Sequence, residues 1–76
     1  MDKRKICDLL ESVMEATDEC NNILFIIYNK EKDIVEIAFS GAKEYIIPDE
    51  KSDIEMVYEI VKVCMKHAVA KRKMSL

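Results

Sequence analysis

The sequence predicts an α+β fold: a helix, a three-stranded antiparallel sheet and a second helix, with both helices on one face of the sheet. Three observations carry this expectation. Apolar residues recur at helical spacing near both ends of the chain. They cluster in short strand-like runs in the middle, and the polar breaks between those runs are of hairpin length. One glycine and one proline in 76 residues leave little room for loops, so a single domain over 1–76 is expected.

The first helix is read over residues 3–20, where Ile6, Leu9, Leu10, Val13, Met14 and Thr17 follow the i, i+3, i+4, i+7 rule. It should stop near "CNN", where asparagine tolerates the left-handed cap conformation. Strands follow at 23–28, 34–39 and 44–47. The breaks are "NKEKD" and "SGAK", which holds Gly41, and the last strand ends at Pro48. Ser52 and Glu55 have capping-box spacing and open the second helix, read over about 53–71 with 72–76 as a frayed tail.

Two stretches carry more apolar residues than one buried face needs. In "NILFIIYN" strict alternation places Ile23, Phe25 and Ile27 on one face and Leu24, Ile26 and Tyr28 on the other. In the second helix Glu55, Glu59, Lys62 and Lys66 fall in one narrow stripe. Ile54, Val57, Tyr58, Val61, Met65, Ala68 and Val69 form the face expected to meet the sheet. Met56, Ile60, Val63 and His67 form a second seam at heptad steps. That seam is filled by the first helix or by another chain. The expectation favours a homodimer, with Met56, Ile60, Val63 and His67 at its interface and the edge of the first strand as the alternative patch.

Composition narrows the chemistry. An odd number of cysteines (Cys7, Cys20 and Cys64) without CxxC spacing is a poor disulfide framework and points to a reducing compartment. No apolar run has the length of a membrane span, and the charged start "MDKRK" leads into an amphipathic pattern, so a cytoplasmic protein without membrane contact is expected. Cys64 and His67 are neighbours on one helix, a pair that suits a nucleophile and base or half a metal site, but the remaining ligands are missing. No glycine-rich phosphate loop or nucleophile elbow is present. The expectation is therefore a non-enzymatic protein with no metal and no cofactor.

Charge is segregated although the net value is only −3. Asp8, Glu11, Glu15, Asp18 and Glu19 line the first helix, while Lys62, Lys66, Lys71, Arg72 and Lys73 close the second. The acidic set is the candidate surface for a protein partner with a basic face. The basic tail lacks stacking aromatics, which argues against nucleic acid. The run "LFIIYNKEKDIVEIAFSG", a hairpin flanked by two helices, resembles small phage and mobile-element proteins of the anti-CRISPR inhibitor type. The resemblance implies stoichiometric binding to a host or defence protein and carries over no functional residue. Two alternatives stay open: a small-ligand or nucleotide-binding dimer, and a nucleic-acid-binding accessory protein.

Overall fold

The computed structural model describes residues 2–17 and 22–75, with side chains on the last helix described as far as His67. The order is α1 (Lys3–Glu15), β1 (Ile23–Asn29), β2 (Ile34–Phe39), β3 (Ala42–Ile46) and α2 (Asp53–Ser75). The strands form one antiparallel meander in the order β1-β2-β3. The α+β class and the element order are those expected. Asp18, Glu19 and Cys20 lie outside the described residues, as does Leu76.

The helix starts are set by side chains. Asp2 caps α1 by accepting from the Arg4 N–H at 3.0 Å. Ser52 and Glu55 form the expected reciprocal box: the Glu55 N–H donates to Ser52 Oγ at 3.2 Å, and the Ser52 N–H donates to Glu55 Oε1 at 3.0 Å. The bond from Ser52 holds the Glu55 carboxyl below its ordinary range. α1 ends earlier than its periodicity suggests. The Thr17 N–H and hydroxyl both donate to the Met14 carbonyl, at 3.1 and 2.8 Å, and so close the last turn at Glu15. α2 is bounded by Asp53 and Ser75.

The sheet departs from strict alternation at one place. Ile23 pairs with Phe39, but Phe25 pairs with Ala38, a register shift across Leu24. Ile23 and Ile26 therefore both face inward, next to Val35, Ile37 and Phe39, and Phe25 and Ile27 face out. This corrects the face assignment expected from alternation, which grouped Ile23 with Phe25 and Ile27. Gly41 takes a φ of 91° in the tight β2–β3 turn, a conformation few other residues adopt. In the β1–β2 turn, Asn29 Oδ1 accepts from the Lys32 N–H at 3.1 Å.

One core joins the elements. It contains Ile6, Cys7, Leu10 and Met14 from α1, the inward residues of the sheet, and Met56, Ile60 and Cys64 from α2. α1 packs mainly on β1, and α2 packs on α1 and β3. The facing of α2 is the second correction. Ile60 is fully buried while Ile54 is 81% exposed. The stripe expected to form an intermolecular seam is thus the one that meets the sheet. The stripe expected on the sheet is partly in solvent. Both stripes are apolar, and only one fits beside α1 over a three-stranded sheet.

This facing predicts opposite outcomes for two isoleucines on one helix. Ile60→Ala should cost about 2–5 kcal/mol by urea denaturation, the usual range for emptying a core site. Ile54→Ala should stay within about 0.5 kcal/mol, as surface changes do.

Candidate functional site

The candidate site is an apolar face spread across α1 and α2. At about 100° per residue, Ile54, Tyr58 and Met65 lie roughly 120–160° around α2 from Ile60, well away from the core direction. Ile54, Tyr58 and Met65 are all exposed. Val57 and Val61 lie between this stripe and the core and are half-buried. Leu9 and Val13 on α1 are also exposed, 56% and 47%. An open groove of about 320 Å³ lies between the helices, lined by Ile6, Leu9, Leu10, Ile54, Val57 and Asp53.

Charged residues border the face on its α2 side. Lys62 Nζ lies 5.1 Å from the Tyr58 ring centroid and 3.7 Å from Glu59 Oε1. The Glu59 pair is an exposed i,i+3 contact of small energy. Lys66 Nζ lies 3.6 Å from Glu44 Oε2. The rim therefore carries both signs of charge around an apolar centre that holds one tyrosine and one methionine, a composition typical of protein interfaces.

The acidic candidates on α1 separate into different roles. Asp8 and Glu15 are exposed. Glu11 is half-buried and structural: its Oε1 accepts from the Ile26 N–H at 2.7 Å. β1 is an edge strand, and this bond occupies a backbone donor on it. Asp18 and Glu19 lie outside the described residues. The five acids expected to act as one partner surface thus include one that is committed to the fold. A one-letter sequence carries no signal for that, because Glu11 follows the same periodicity as Glu15.

The second expected set, Met56, Ile60, Val63 and His67, is packed within the chain. Met56 and Ile60 are core residues, and Val63 packs against the same cluster. The His67 ring stacks on Phe39 with centroids 4.0 Å apart, and its Nε2 lies 2.5 Å from Glu44 Oε2. The His67 bond, with Lys66 nearby, holds the Glu44 carboxyl below its ordinary range. The four residues therefore fix α2 to the sheet, and an interface built on Met56 and Ile60 is not available in this fold. The Cys64–His67 pair is drawn inward with them: Cys64 is buried and His67 is engaged with β3. On α1, burial, with Asp8 and Glu11 nearby, pushes the Cys7 thiol up to about 11, so at neutral pH it is a packed apolar group. Among the described residues no three His, Cys, Asp or Glu side chains converge as a metal site would need.

Two further features lie on the surface. Lys3 Nζ lies 3.3 Å from Asp33 Oδ1, and the Tyr28 hydroxyl donates to the same carboxylate, which joins the start of α1 to the β1–β2 turn. The Tyr28 bond is the main reason that Asp33 sits below its ordinary range. On the outer side of the sheet Leu24, Ile27 and Tyr45 are exposed. Among the described residues, no helix is long and apolar enough to cross a membrane.

No family model matches the chain, and neither the curated proteins nor the solved structures hold a match to it.

Two outcomes follow from these contacts. Glu11→Ala should cost about 1–3 kcal/mol, because it removes a charged acceptor and leaves the Ile26 donor to water or to nothing. Asp8→Ala should be neutral by the same denaturation measurement. Glu44 has a lowered carboxyl, so its contribution to stability is fully present above the ordinary value near 4.5 and is lost as pH falls through the lowered folded value. The stability gap between the parent and Glu44→Gln should therefore shrink on acidification below about 4.5. A gap that stays constant down to the acid transition would show that the Glu44–His67 contact carries no such linkage.

Proposed function

We propose that this chain is a small non-enzymatic binding protein that works by stoichiometric protein–protein contact through the apolar face of α1 and α2. The observation that carries the reading is the exposure of Leu9, Val13, Ile54, Tyr58 and Met65, with Leu9 and Ile54 lining one groove between the helices. A large exposed apolar patch with a polar rim is uncommon on a domain that works alone and marks a site of association. Tyrosine and methionine suit the role, since both give large contact area, and methionine adapts to the shape of its partner. Self-association as a homodimer is one complex of this kind. A complex with a protein that bears a basic surface is another, with Asp8 and Glu15 exposed on α1 to meet it. The layout resembles small phage-encoded inhibitors, and a blocking role against a host or defence protein fits stoichiometric binding. A buried Cys7 thiol suits work in a reducing cytoplasm.

The groove between the helices supports a second reading, in which it takes a small apolar ligand. Its volume falls at the low end of the range for ligand pockets, about 300–1,000 Å³. Its lining is almost wholly aliphatic, with Asp53 as the polar exception, and this lining favours a partner side chain over a nucleotide.

The test is capture from the source cell with the parent and with the double variant Ile54→Glu, Tyr58→Glu. Both positions are exposed, so the variant should keep its fold by circular dichroism and melt within a few degrees of the parent. The parent should retain bound protein in a fixed ratio, and the variant should lose it. Retention of the same protein at the same ratio by the folded variant would contradict the reading.

A further inference from the structure

Resting on that reading of the helix-pair face, we infer that the face seats a second copy of this chain, with the two α2 helices crossing antiparallel about a two-fold axis near Ile60. The charges on α2 carry the argument. Its first half bears Asp53, Glu55 and Glu59, and its second half bears Lys62 and Lys66, with Lys71, Arg72 and Lys73 further along the sequence. An antiparallel partner brings the acidic half of each helix against the basic half of the other, twice by symmetry. A parallel partner stacks like on like.

The registers agree. In an antiparallel pair, residue i of one helix lies opposite a residue whose number makes a constant sum with it. Glu55 with Lys66 and Glu59 with Lys62 share one such sum. Ile54 with Met65 and Tyr58 with Val61 share another, and the two centres are about one residue apart, both beside Ile60. One crossing therefore satisfies the apolar stripe and the charged stripe together. The charged stripe of each copy then borders that of its mate, because a two-fold axis places like flanks side by side. Leu9 and Val13 extend the apolar contact on the opposite flank. The Lys62 and Lys66 ammonium ends are largely exposed beside part-buried Glu59 and Glu44, so each can also reach a carboxylate across the interface.

Sedimentation of the intact chain, followed by charge exchange, tests this. At tens of micromolar the parent should sediment at twice 8.8 kDa, and Ile54→Asp, at an exposed position, should be a folded monomer. Glu59→Lys alone and Lys62→Glu alone should each dimerise about 3- to 10-fold more weakly than the parent. An equimolar mixture of the two should form a heterodimer of near-parental affinity. A parent that stays at 8.8 kDa to several hundred micromolar overturns the inference. So does a dimer that Ile54→Asp leaves intact, and so does a mixture no tighter than its components. A monomeric parent would not by itself sink the binding role of the face, because capture from the source cell by parent but not by Ile54→Glu, Tyr58→Glu would still show it.

Discussion

Met56, Ile60 and Cys64 form one buried stripe along α2, and that stripe shares its core with Ile26, Val35, Ile37, Phe39 and Ile46 of the sheet. The remaining surfaces follow from this contact. A helix that presents one apolar stripe inward and has only a narrow charged stripe must leave its other apolar stripe toward solvent or toward α1. α1 covers part of it, through Val57 and the groove beside Ile6 and Leu10. Ile54, Tyr58 and Met65 remain outside. His67 and Glu44 then lock the inward choice by tying the far part of α2 to β3.

Size makes the leftover surface unavoidable. Both helices share one core with the three-stranded sheet, and among the described residues no third layer covers the sheet's other side. The register shift across Leu24 eases part of the problem, because it places Ile23 and Ile26 inward together. Leu24, Ile27 and Tyr45 stay on the outer side. The molecule therefore has two apolar exteriors of different character. The sheet exterior is interrupted by Glu36 and Lys43, and Lys43 Nζ lies 5.8 Å from the Phe25 ring centroid. The helix exterior has Leu9 and Ile54 on one groove and charges of both signs at its α2 border, which favours it over the sheet exterior in the proposed docking role.

Much of this was legible in the sequence, for local reasons. β2 has the expected bounds because Val35, Ile37 and Phe39 alternate with smaller or polar residues, so only one register buries them. The start of α2 was legible because Ser52 and Glu55 cap each other without help from the rest of the chain. The inward stripe of α2 was expected to be the one led by Val57, Val61 and Met65, and it is the one of Met56, Ile60 and Cys64. Periodicity shows that α2 has two apolar stripes, yet the choice between them depends on packing against β2 and β3, which no local pattern encodes. The register shift in β1 was hidden for a similar reason: six apolar residues in a row look alike in either register, and no glycine or proline marks the break. The two hydrogen bonds from Thr17 to the Met14 carbonyl and the capture of the Ile26 donor by Glu11 depend on placements that only the folded chain provides.

Proximity between ring protons tests the facing of α2 directly. With one isotope-labelled and one unlabelled sample, filtered nuclear Overhauser spectra separate contacts within a chain from those between chains. A strong intrachain contact is expected between the His67 and Phe39 rings, whose centroids lie 4.0 Å apart, and none between Tyr58 and the inward side chains of β2. An intrachain contact of Tyr58 with Val35 or Ile37, or a His67 contact seen only between chains, would contradict this facing.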